Sequence, residues 1–67
     1  MRRIIETPIP PEELEEIRRR SGTRVRLALL EVIVKNRILL NRVLLEGEEG
    51  GEIKRFMEFL MRARAGG

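Results

Sequence analysis

Large apolar side chains crowd the middle of this chain, between Gly22 and Gly47, and thin out on either side. Within residues 24–34 the pattern opens as a strict alternation. Arg24, Arg26 and Ala28 point one way, and Val25, Leu27 and Leu29 the other, as in a half-buried strand. At Leu29-Leu30 the alternation breaks, which fits a bulge or a sheet covered on both faces. Val25, Val32, Ile33, Val34, Ile38 and Val43 are β-branched and suit a pleated surface better than a helix. The spacing therefore predicts a hairpin with strands over 24–34 and 37–46 and a turn at Lys35-Asn36. Asn tolerates the left-handed conformation that such turns require. A second pattern lies over the first. Arg24, Glu31, Lys35, Arg42 and Glu46 fall on one stripe at spacings of seven and four, as on a single long helix over 24–46. In that alternative the fold is an all-α dimer built on the central helix.

The flanks are simpler. Ile4, Ile5, Thr7 and Ile9 predict a short strand within 1–9, and Pro8, Pro10 and Pro11 end its pairing near Thr7. Residues 11–20 read as a helix: Pro11 in the first turn, Glu12 and Glu13 at the positive dipole end, Arg18, Arg19 and Arg20 at the negative end. Leu14 and Ile17 form its apolar face, and Gly22 its C-terminal cap. Ile53, Phe56, Met57, Leu60 and Met61 follow helical spacing over 52–63. The end, Ala65-Gly66-Gly67, is expected to fray. The order is β-α-β-β-α in one domain over 1–67. It makes an α+β two-layer fold, with two helices on one face of a small antiparallel sheet. The opposite sheet face is expected to be apolar and to bind a second copy.

Composition narrows the chemistry. The 67 residues include neither cysteine nor histidine, so a disulfide, zinc or haem site is excluded. A chain this short buries only about 60% of its unfolded surface, so a homo-oligomer is expected. Aspartate, tyrosine and histidine are all absent, and Ser21 has no base to activate it, so no catalytic residue and no cofactor is expected. Glu48, Glu49 and Glu52 oppose phosphate binding at the turn Gly47-Glu48-Glu49-Gly50-Gly51. Arg26, Glu31, Lys35, Arg37 and Arg42 would each cost about 2–3 kcal/mol at mid-bilayer, so no membrane span is expected. No targeting pattern is evident, and the expected compartment is the cytoplasm.

Lys and Arg number 14 against 11 Glu, a formal charge of +3, and all but Lys35 and Lys54 of the bases are Arg. An Arg/Glu surface suits a heat-adapted protein. It also supplies planar forks for phosphate. Arg18, Arg19, Arg20, Arg24 and Arg26 are clustered in sequence and are the candidate nucleic-acid-binding residues, with single-stranded RNA or DNA as the partner. The competing expectation is a homo-oligomeric assembly module without a nucleic-acid role, for which the start Pro10-Pro11-Glu12-Glu13-Leu14 also allows a designed origin.

The stretch Ile17-Arg18-Arg19-Arg20-Ser21-Gly22-Thr23-Arg24-Val25-Arg26-Leu27 resembles the helix-to-strand passage of K-homology (KH) RNA-binding domains. Asn41-Arg42-Val43-Leu44-Leu45-Glu46-Gly47, with the helix over 52–63, resembles the last strand, glycine turn and final helix of the same fold. The resemblance covers about half the chain. It implies a single-stranded nucleic-acid cleft beside the first helix and the strand after Gly22. The chain departs from that family in lacking the G-x-x-G loop, with no glycine before Gly22. Residues 43–60 also resemble part of ferredoxin-fold regulatory modules of the NIL or ACT type.

Overall fold

In the computed structural model, which describes residues 1–65, the middle of the chain doubles back on itself. The elements are β1 (Arg2–Thr7), α1 (Pro11–Ser21), β2 (Arg26–Lys35), β3 (Ile38–Glu46) and α2 (Gly50–Ala65). β3 lies between β1 and β2 and is antiparallel to both. The fold is α+β in the order β-α-β-β-α, and the long central helix over 24–46 is not formed.

The helical stripe has a different origin. The pairing register puts Glu31, Lys35, Arg42 and Glu46 together on the sheet face away from the helices. There they find partners across strands rather than along a helix. Arg42 donates to Glu31 at 2.6 Å and to Glu6 at 2.9 Å, and Lys35 donates to Glu6 at 2.8 Å. Farther along, Arg2 donates to Glu46 at 3.0 Å, with Arg26 at 3.8 Å on its other side. The open face expected to be apolar is thus banded. Ionic rows Arg2–Glu46–Arg26 and Glu6–Arg42–Glu31 flank an apolar row, Ile4–Leu44–Ala28.

Glu6 carries two of these contacts. Its hydrogen bonds from Lys35 and then Arg42 hold its carboxyl below the ordinary carboxylate range. A carboxyl that is more acidic folded than unfolded stabilises the fold above the unfolded pKa, and that contribution disappears as pH falls through the folded pKa. The Glu6→Gln variant is therefore expected to be less stable at neutral pH. Its urea midpoint is also expected to change less than wild type's between neutral pH and about pH 3. Equal pH dependence in the two proteins would show that this carboxylate does not contribute.

The bulge lies where the alternation breaks. Leu29 is opposite Val43 and Glu31 is opposite Arg42, so Leu30 is the extra residue. The turn sits one residue later than expected, because the Lys35–Ile38 pair closes a two-residue loop of Asn36 and Arg37. Both loop residues have positive φ, 50° and 67°, the mirror-image twist that matches right-handed strands. Arg37 holds this conformation with a Cβ, at a cost of about 1 kcal/mol. Arg37→Gly is expected to raise stability by about 0.5 kcal/mol in urea unfolding, the gain being offset in part by a freer unfolded chain. A loss would mean that the Arg37 side chain supports the turn.

Helix α1 ends as its sequence indicates: Gly22 takes φ 71°, and its N–H donates to the Arg19 carbonyl. Helix α2 begins at Gly50, two residues before the expected start, and runs to Ala65. Of the tail expected to fray, Ala65 is the last helical residue, and Gly66 and Gly67 lie outside the described residues. The core joins Ile9, Leu14, Ile17, Val25, Val43, Leu45, Ile53, Phe56 and Leu60, drawn from both helices, one sheet face and the connections at Ile9 and Val25. Met61, expected on the buried stripe of α2, is instead exposed. The sheet carries helices only as far as the Thr7–Asn41 row. There Asn41 Nδ2 donates to the Ile9 carbonyl at 2.9 Å, and the Ile9 N–H donates to Thr7 Oγ1 at 3.2 Å. Among the described residues no buried side-chain polar atom lacks a partner.

Candidate nucleic-acid interface

Alternation along β2 decides what lies beside α1. Leu27 and Leu29 face the helices, opposite Leu45 and Val43, and α1 supplies Leu14 on the same side. A depression lined by Pro11, Leu14, Glu15, Leu27, Leu29 and Val43 runs between the helix and the strand. A shallower one, lined by Glu15, Arg18, Arg24, Val25, Arg26 and Leu27, continues it toward the C-terminal end of α1. The two share Glu15 and Leu27, so together they form one groove with an apolar end and a basic end.

The structure brings together two of the five candidate residues. Arg18 and Arg24 line the basic end; Arg26 borders it on the edge strand, but its guanidinium turns to the open sheet face, 3.8 Å from Glu46, and Arg19 and Arg20 lie outside the groove and pair with Glu16 at 2.6 Å and 3.4 Å. The reason is helical geometry: successive residues of α1 point about 100° apart, so three consecutive arginines cannot share one face. Arg18 donates to Glu15 at 2.7 Å, a pair at the surface that a phosphate can displace. Arg24 makes no side-chain ion pair among the described residues, and its backbone N–H donates to Glu52 Oε2 at 3.0 Å. That bond, and then the Arg55 guanidinium, hold the Glu52 carboxyl below the ordinary range. Glu52 thereby fixes the approach to β2 from the first turn of α2.

The groove floor was not a candidate in the sequence. Its signal was present in the alternation of Leu27 and Leu29, but only the placement of α1 shows that they remain partly open. Phe56 is fully buried, and Phe59 packs against the core, so neither offers a free ring to the groove. A second recess, lined by Arg24, Arg26, Gly47, Glu48, Glu49 and Glu52, sets three carboxylates against two guanidinium groups, an arrangement unsuited to an anion. Ser21 Oγ donates to the Arg18 carbonyl at 2.6 Å and is hydrogen-bonded to Thr23 Oγ1, so it serves the helix end. Among the described residues no group of acidic side chains is arranged to hold a metal ion, and no helix is long and apolar enough to cross a membrane.

Neither the curated proteins nor the solved structures include a match to this chain. The model of one family, CHP_AF_0576, described as an uncharacterised protein, matches residues 1–67 from end to end, and the chain belongs to that family.

Proposed function

We propose that the chain is a small, non-enzymatic module that binds single-stranded nucleic acid in the groove between α1 and β2. The observation that carries this reading is the meeting of Arg18 and Arg24 at one end of a groove whose open floor is Leu27 and Leu29. Guanidinium groups take phosphate oxygens as planar forks. An aliphatic floor receives base faces without reading their edges. Single strands fit this division because their bases are free to turn away from the backbone. With no ring available for stacking, binding is weak per nucleotide and tolerant of sequence. The cleft implied by the KH resemblance would lie in the same place, beside the first helix and the strand after Gly22.

The test is a titration with fluorescent single-stranded RNA at several salt concentrations. Two phosphate contacts predict a log–log slope of affinity against salt of about −1.4. No binding at low salt would remove the proposal, and so would binding that does not weaken as salt rises.

A further inference from the structure

β1 pairs with β3 only as far as Asn41. Past that row, residues 33–35 of β2 and 38–40 of β3 form a two-stranded arm, with Val32 opposite Asn41 at its base. Val32, Val34, Ile38 and Leu39 on this arm are 54–65% exposed. A two-stranded hairpin by itself is marginal in water, and this one shows apolar side chains on both faces. Its outer edge is β2, which has no neighbouring strand on that side among the described residues. The opposite sheet edge, β1, is short and carries Arg2, Arg3 and Glu6, which discourage pairing. From Leu27 to Val34, β2 carries Glu31 as its one charge and no proline.

We infer that the arm is an interface between two copies of this chain, formed by antiparallel pairing of β2 with β2 about a twofold axis through Ile33. The side chains select a second copy as the occupant because the edge is complementary to itself in this register. With Ile33 on the axis, Val32 stands opposite Val34 of the second copy, and Glu31 opposite Lys35. Apolar residues meet apolar ones on the helix side, and opposite charges meet on the open side. Neighbouring registers fail: with Val32 or Val34 on the axis, a charge faces Ile33, and with Glu31 on the axis, two carboxylates meet. The bulge at Leu30 ends the flat segment on one side and the turn ends it on the other. The product is one continuous six-stranded sheet. The α1–β2 groove lies before the bulge and stays open, so this inference stands or falls separately from nucleic-acid binding.

Sedimentation equilibrium on the full chain tests it. The wild-type protein is expected to be a dimer at micromolar concentration. Val32→Lys alone, or Val34→Glu alone, is expected to weaken the dimer by about tenfold or more, since each puts two charges opposite valines. The double variant V32K/V34E sets each new cation opposite a new carboxylate of the second copy and is expected to recover most of the lost affinity. Both positions are exposed in the monomer, and circular dichroism checks that each variant is folded. A wild-type monomer at high micromolar concentration would overturn the inference. Single variants that dimerise like wild type would do so too, as would a double variant no better than the singles.

Discussion

Replacing Phe56 by alanine is expected to cost this protein about 3–5 kcal/mol of stability. Phe56 is 0% exposed and is the largest fully buried side chain. Removing a buried phenylalanine costs about 3–5 kcal/mol, through lost transfer energy and the cavity left behind. A chain of this length has roughly 3–10 kcal/mol of stability in total. The loss therefore consumes most of it at the lower end of that range. Met61→Ala is the informative comparison, because Met61 shares the helical stripe with Phe56 but is 67% exposed. Its effect is expected to stay within about 0.5 kcal/mol. Urea unfolding followed by circular dichroism measures both. Similar losses at the two positions would mean that α2 is rotated about its axis relative to this structure.

Reversing two charges at the groove is expected to have the largest effect on binding. R18E/R24E removes two phosphate contacts and puts carboxylates in their place. At about 1.5 kcal/mol for each charge-assisted contact, affinity for single-stranded RNA falls by about 100-fold. The salt slope also becomes shallower by about 1.4. R19E/R20E changes the net charge by the same amount, but at two arginines outside the groove. It is expected to weaken binding by only a few-fold, through the long-range field alone. If the two double variants lose affinity equally, RNA is responding to overall charge and the groove is not the site.

Much of the architecture was legible because local patterns agreed with the final structure. The prolines after Thr7 ended β1 where expected. Pro11, the glutamates, the arginines and Gly22 bounded α1 within one residue. The break at Leu29-Leu30 marked a real bulge. The central ambiguity came from an alias. Charges at 31, 35, 42 and 46 lie on one helical stripe, yet the turn and the bulge also bring them to one face of a hairpin. Residue spacing alone does not separate the two arrangements, since both put the same charges on one face.

The candidate site was less legible. Sequence proximity grouped five arginines, but α1 turns Arg19 and Arg20 away and β2 turns Arg26 to the open face, while the connection before β2 brings Arg24 alongside Arg18. The apolar floor could not be found without knowing that α1 lies over β2. The ionic rows across the open sheet face were hidden for a similar reason. Whether Glu6 meets Arg42 depends on a register between strands separated by more than thirty residues.

The order of strands and helices, the caps and the apolar stripes are written in the sequence, because they depend on neighbours within a turn or a strand. Which strand lies in the centre, which arginines meet, and how far the hairpin reaches past its cover came only with the tertiary structure. These depend on pairing between distant segments, and the energy that selects one pairing comes from burying Phe56, Leu45 and Val43 together.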